Sequence, residues 1–122
     1  MEIYIYNGET MISIKRVSDV EYDVEVTETK TVPARIPYSL YLLLEKYKNK
    51  SEFIRNVIFY VINNNIDLTQ VSLSTERRRK IITFRVEYST YQKMIQYAQR
   101  YQSINDFVNR AITWGIVNDV FH

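Results

Sequence analysis

Two arginines of this chain occupy the same place in two copies of one pattern. Arg35 lies within Thr31-Val-Pro-Ala-Arg-Ile-Pro-Tyr-Ser-Leu-Tyr41, and Arg85 within Ile81-Ile-Thr-Phe-Arg-Val-Glu-Tyr-Ser-Thr-Tyr91. Tyr38/Tyr88, Ser39/Ser89, Tyr41/Tyr91 and Tyr47/Tyr97 keep the same offset of 50 residues. After a four-residue insertion the match resumes, Ser51-Glu-Phe-Ile-Arg-Asn-Val-Ile58 aligning with Asn105-Asp-Phe-Val-Asn-Arg-Ala-Ile112. A cation matched in both copies is more than chance surface charge. Catalytic candidates are thin by comparison. His122 is the only histidine and is terminal, there is no cysteine, and Gly8 and Gly115 are the only glycines. That composition excludes a His-based triad, thiolate chemistry, a zinc cluster and a glycine-rich phosphate loop. The carboxylates are scattered and form no recognisable paired motif. An enzyme is the least expected class, and no cofactor or metal is expected.

The matched residues must be held by elements that also recur. A unit of roughly 35–40 residues occurs twice. One such unit can rarely bury enough apolar surface alone, so the two copies are expected to complete one core. Each copy opens on a short strand with period-two alternation. Val32, Ala34 and Ile36 take one face against Thr31, Pro33 and Arg35. Ile82, Phe84 and Val86 take one face against Ile81, Thr83 and Arg85. A helix follows in each, over about 38–48 (Leu40, Tyr41, Leu44, Tyr47) and about 88–101 (Tyr91, Met94, Ile95, Ala98).

A second helix is expected to start at Ser51 and at Asn105, both favourable N-caps. Glu52 and Asp106 follow and suit the positive helix end. Ile54, Val57, Ile58, Val61 and Ile62 then form an apolar stripe, matched by Val108, Ala111, Ile112, Gly115 and Ile116, with Phe53 and Phe107 beside them. Residues 63–76 are polar and lack Gly and Pro. They read as a loop long enough to return the second strand beside the first.

Residues 2–28 read as further strands. Asn7-Gly8 between alternating segments is a hairpin signal. Val20, Tyr22, Val24 and Val26 alternate with Glu21, Asp23, Glu25 and Thr27, which makes one apolar and one acidic face. The expected division is an acidic β extension over 1–28, a first unit over 29–64, a linker over 65–78 and a second unit over 79–118. Charge follows it. Glu2, Glu9, Asp19, Glu21, Asp23, Glu25 and Glu28 face only Lys15 and Arg16 in the first 28 residues, while the remainder is net basic and holds the run Arg77-Arg-Arg-Lys80. At 122 residues, 46% hydrophobic and 25% charged, the chain has the composition of one ordinary globular domain. No apolar run approaches the roughly 20 residues of a membrane span. The start Met-Glu-Ile-Tyr-Ile-Tyr lacks the pattern of a signal peptide, so a cytoplasmic protein is expected.

Strand, helix, capped helix, twice over, resembles the ribbon-helix-helix family of DNA-binding proteins across about 29–62 and 79–117. With both units in one chain it resembles the tandem transcription regulators of archaeal viruses, for which the compartment is the host cell interior. The resemblance implies an α+β fold, a tandem ribbon-helix-helix pseudo-dimer with a two-stranded antiparallel ribbon over four helices and an N-terminal β-hairpin extension. It implies a sequence-specific regulator that places the ribbon in the major groove of double-stranded DNA. The outward ribbon residues would then be base-contacting: Arg35 and Arg85, each able to take guanine O6 and N7, and Thr31 and Thr83. In the family the second helix start clamps the DNA backbone, which assigns phosphate contacts to Lys50, Ser51, Ser103 and Asn105, with Lys80 from the basic run. Plain N-capping accounts for the same serines and asparagine without DNA.

Two departures stand out. Pro33 cannot donate a ladder bond, so it fits only where its nitrogen faces away from the partner strand. The acidic arm can cover a ribbon edge, join copies by self-association through residues 1–28, or touch another protein. Rival readings are an antitoxin-like module and an architectural DNA coat, each engaging a protein partner through that arm. An antitoxin would usually carry a flexible tail, for which Asn118-Asp-Val-Phe-His122 is short. The eleven tyrosines can stack on bases, but their helical spacing favours the core. Neither a membrane nor a small-molecule substrate is expected as a partner.

Overall fold

The computed structural model describes residues 2–118, and His122 lies outside the described residues. Glu2–Asn7 (β1) and Thr10–Arg16 (β2) form a hairpin in register Asn7↔Thr10. The turn itself is Gly8-Glu9, and Gly8 supplies the positive φ of 62°. Asn7 is therefore the last strand residue, and the turn is of the Gly-first type rather than one centred on Asn-Gly. The third strand, Tyr22–Pro37 (β3), is 16 residues long. Its first half pairs with β2 and its second half with Arg79–Glu87 (β4). The sheet is antiparallel, four-stranded and curled, in order β1-β2-β3-β4.

The arm is thus a three-stranded meander rather than a bare hairpin, and the expected boundary at 28/29 falls inside one continuous strand. The apolar phase of Tyr22, Val24 and Val26 resumes at Val32, Ala34 and Ile36 after Glu28 and Lys30, and no glycine interrupts the strand between them. Pro33 is accommodated as the sequence requires. The backbone N–H groups of Thr31 and Arg35, two residues to either side, donate to Glu9 and Asn105 rather than to β4. The nitrogen of Pro33 shares that phase and faces the outer edge.

Among the described residues four helices complete the α+β fold: Tyr38–Leu44 (α1), Lys50–Asn63 (α2), Tyr88–Ala98 (α3) and Ile104–Asn118 (α4). The first helix of each copy is shorter than its apolar spacing suggests. After α1 the Tyr47 N–H turns back to the Leu44 carbonyl, and after α3 Arg100 does the same to Tyr97. These three-residue closures tighten the chain and end the helix. The α1 start, which has no cap from Pro37, is held by Glu76, whose carboxylate accepts from Ser39 N–H and hydroxyl at 3.3 and 2.5 Å.

The core lies between the inner face of β3–β4 and the helices. Val32, Ala34, Ile36, Phe84 and Val86 cover Phe53, Ile54, Val57, Ile58, Phe107, Val108 and Ile112, all buried. The copies match in detail: Tyr47 packs on Phe53 with centroids 3.8 Å apart, and Tyr97 on Phe107 at 5.3 Å. Helices α2 and α4 cross where Gly115 meets Val57, and a Cβ on Gly115 would come within 2.5 Å of Val57 Cγ2. The linker is less loop-like than its polarity suggests. Leu68 is fully buried, and its N–H donates to the Tyr101 hydroxyl at 2.9 Å. Arg110, paired with buried Asp106 at 2.5 Å, donates to the carbonyls of Leu68 and Val71.

Candidate functional site

The register of β3 and β4 gives the two copies a local two-fold relation. Pro33 faces Thr83, its own counterpart at the offset of 50. Thr31 faces Arg85, and Arg35 faces Ile81, so each flanking pair is the image of the other. All six side chains belong to the outward phase, opposite the buried phase of Val32, Ala34, Phe84 and Val86. The sequence alternation therefore placed Thr31, Arg35, Thr83 and Arg85 on one shared surface.

The two ends of that surface differ. At the Arg85 end the arm folds over it. Arg85 Nη1 donates to the Gly8 carbonyl at 2.8 Å, and its guanidinium lies 4.8 Å from the centre of the Tyr6 ring. The Glu9 carboxylate accepts from Thr31 N–H at 2.9 Å, and the Glu9 carbonyl accepts from Thr29 N–H and hydroxyl. Thr31 and Arg85 are half-buried as a result, whereas Arg35 is exposed.

The helix starts correct the expected caps. Asn49 caps α2, its side chain accepting from Glu52 N–H at 3.0 Å, and Ser103 Oγ accepts from Asp106 N–H at 3.0 Å at the start of α4. Ser51 and Asn105 are two residues further on. The signal was legible, since Asn49 and Ser103 each precede an acid by three residues, the spacing of a capping box. Ser51 is left beside Thr31, Thr83 and Arg85 in one groove. Asn105 is engaged, accepting from Arg35 N–H at 2.8 Å.

Behind each arginine stands a residue that sequence reasoning missed. Arg55 Nη1 donates to the Arg85 carbonyl at 3.4 Å, and Asn109 Nδ2 donates to the Arg35 carbonyl at 2.9 Å. Arg55 and Asn109 are counterparts at the second offset of 54, and each ties the second helix of one copy to the strand of the other. Their matched positions in the aligned segments were the available signal.

The lysines are partly committed. Lys80 lies 5.3 Å from the Tyr41 ring centre, and its counterpart Lys30, also missed, lies 5.6 Å from that of Tyr91. Both belong to the inner phase at the ends of the strand pair, so they flank the outward face rather than stand on it. Lys50 bridges Glu45 at 3.4 Å. The Tyr41 hydroxyl also bonds Glu45, which lowers the Glu45 pKa and raises that of Tyr41. The basic run splits: Arg78 stacks 3.7 Å over Tyr38, Arg79 donates to the Ser74 carbonyl at 3.0 Å, and Arg77 and Arg79 join Arg35, Ser103 and Asn105 around a groove. Each end of the outward face thus adjoins a cationic groove at a second-helix start: Arg85 and Arg55 by α2, Arg35, Arg77 and Arg79 by α4.

Among the described residues no helix is long and apolar enough to cross a membrane. Comparison of the chain with protein-family models, with curated proteins and with solved structures finds no match.

Proposed function

We propose that this chain is a sequence-specific, double-stranded DNA-binding transcription regulator of the tandem ribbon-helix-helix kind, reading the major groove with the β3–β4 pair. The observation that carries this reading is the two-fold register through Pro33 and Thr83, which sets Arg35 and Arg85 symmetrically on one outward face. A two-stranded ribbon fits the roughly 12 Å major groove. The exposed Arg35 guanidinium can bond guanine O6 and N7, Arg85 can do so with the N–H groups that its bond to Gly8 leaves, and Thr31 and Thr83 can meet a base edge or a thymine methyl. The starts of α2 and α4, with Lys50, Ser51 and Ser103 and free backbone N–H groups, supply phosphate sites on either side. Such contacts orient the protein, and the ribbon specifies sequence. Because Pro33 and Thr83 differ, and the arm holds only Arg85, one chain should prefer an asymmetric site.

The test is selection of bound duplexes from a random pool, followed by affinity at two salt concentrations. An asymmetric motif with a steep salt slope is expected. Absence of any motif, with binding lost at moderate salt, would overturn the reading and leave a basic surface only.

A further inference from the structure

The arm carries an apolar face that nothing among the described residues covers. In register, Ile3 faces Ile14 and Ile14 faces Val24, while Ile5 faces Ile12 and Ile12 faces Val26. These six side chains share one face of the meander. On β3 that face continues the buried phase of Val32, Ala34 and Ile36. Val32 is 3% exposed beneath the helices, yet Val24 and Val26 are 62% and 64% exposed beyond them. The same phase of one strand is thus apolar at both ends, covered at Val32, Ala34 and Ile36 and bare at Val24 and Val26, with Glu28 and Lys30 between them. The opposite face of the arm holds Glu2, Asp23 and Glu25, so the acids leave the aliphatic face uncharged except at its two ends, Arg16 and Glu28.

We propose that a second copy of this chain covers this face, the two arms stacking sheet on sheet with their strands antiparallel. Identical aliphatic faces are self-complementary about a two-fold axis, the commonest closed arrangement of like chains. The antiparallel sense follows from charge: with central strand on central strand it sets Arg16 of one copy over Thr10 of the other, one strand from that copy's Glu28, whereas the parallel sense sets Arg16 over Arg16. Face-to-face packing of twisted sheets about 10 Å apart accommodates this geometry. Ile3, Ile5, Val24 and Val26 are 45%, 47%, 62% and 64% exposed, and adjoining Tyr22 is 56% exposed, apolar surface that a second copy would remove from water. The contact uses neither the outward face of β3–β4 nor the grooves beside it, and it stands whether or not DNA is the ligand.

Sedimentation equilibrium of the full chain over about 1–100 µM tests it. A mass rising toward twice the 14.7 kDa of one chain is expected. Val26→Glu should weaken the dimer at least about tenfold, and Glu25→Gln on the opposite face should leave it intact. Since Val26→Glu can also unfold the arm, Arg16→Glu and Glu28→Arg provide a second measurement. Each alone should weaken association, and the doubly exchanged chain should regain it. A monomer at every concentration, a dimer indifferent to Val26→Glu, or a double exchange no better than the singles would overturn the proposal.

Discussion

The guanidinium of Arg85 and the carbonyl of Gly8 lie 2.8 Å apart, 77 positions away from each other in sequence, and among the described residues Arg35 has no such bond to the arm. One arginine of a symmetric pair is thus tethered and the other open. Arg85→Ala should loosen the hairpin tip, so amide hydrogen exchange should accelerate around residues 7–10 and 28–31. Arg35→Ala should leave those amides unchanged. On DNA, each substitution should cost about 1–3 kcal/mol and relax preference at one base pair. A uniform loss across all sequences would instead assign that arginine to phosphate.

Pro33 sits at the two-fold centre with its nitrogen toward the outer edge. Pro33→Thr gains no ladder bond and loses only chain stiffness, so denaturant titration should show a loss under about 1 kcal/mol. The substitution makes the two copies identical at the centre. The DNA motif selected by the variant should be more nearly palindromic.

Gly115→Ala tests the helix crossing. Alanine favours a helix by about 1 kcal/mol over glycine, but its Cβ would fall 2.5 Å from Val57 Cγ2 inside a full core. Overpacking of this kind costs about 1–3 kcal/mol, so a net loss is expected in chemical denaturation. Val57→Ala should be less costly in the Gly115→Ala background than alone.

Arg110 and Asp106 tie the linker to α4, with side chains only 18% and 5% exposed. Arg110→Ala leaves a buried carboxylate and the carbonyls of Leu68, Thr69 and Val71 short of a partner and should cost about 3 kcal/mol. Lysine lacks the planar fork that serves Asp106, Leu68 and Val71 together. Arg110→Lys should therefore recover less than half of the loss in the same titration.

Glu45 and Asp67 have pKa values below their ordinary range. The first is lowered mainly by the Tyr41 hydroxyl and then by Lys50, the second by the Thr69 backbone N–H and hydroxyl. A pKa depressed in the folded state adds stability above the unfolded value, lost as pH falls through the folded one. Urea midpoints should therefore be insensitive to these groups from pH 7 to about 5 and fall below about pH 4. The slope should be shallower in a Glu45→Gln/Asp67→Asn chain.

Local pattern in the sequence determined the strand faces, the helix stripes and the repeat. Alternation at Val32, Ala34 and Ile36 and the i, i+3, i+4 spacing at Ile54, Val57 and Ile58 depend only on neighbours a few residues away, and those residues are buried as expected. Even the phase of Pro33 followed from its missing N–H. Tertiary structure decided what depends on distant partners. The Asn105 side chain was taken up by the Arg35 backbone, the second helix of each copy by the strand of the other, and Leu68 by a core its polar neighbours did not announce. The contact of Arg85 with Gly8 is of the same kind. It exists because β3 runs unbroken from arm to ribbon, so the sheet curls the hairpin tip over the outward face, and no stretch of sequence shorter than the fold encodes that closure.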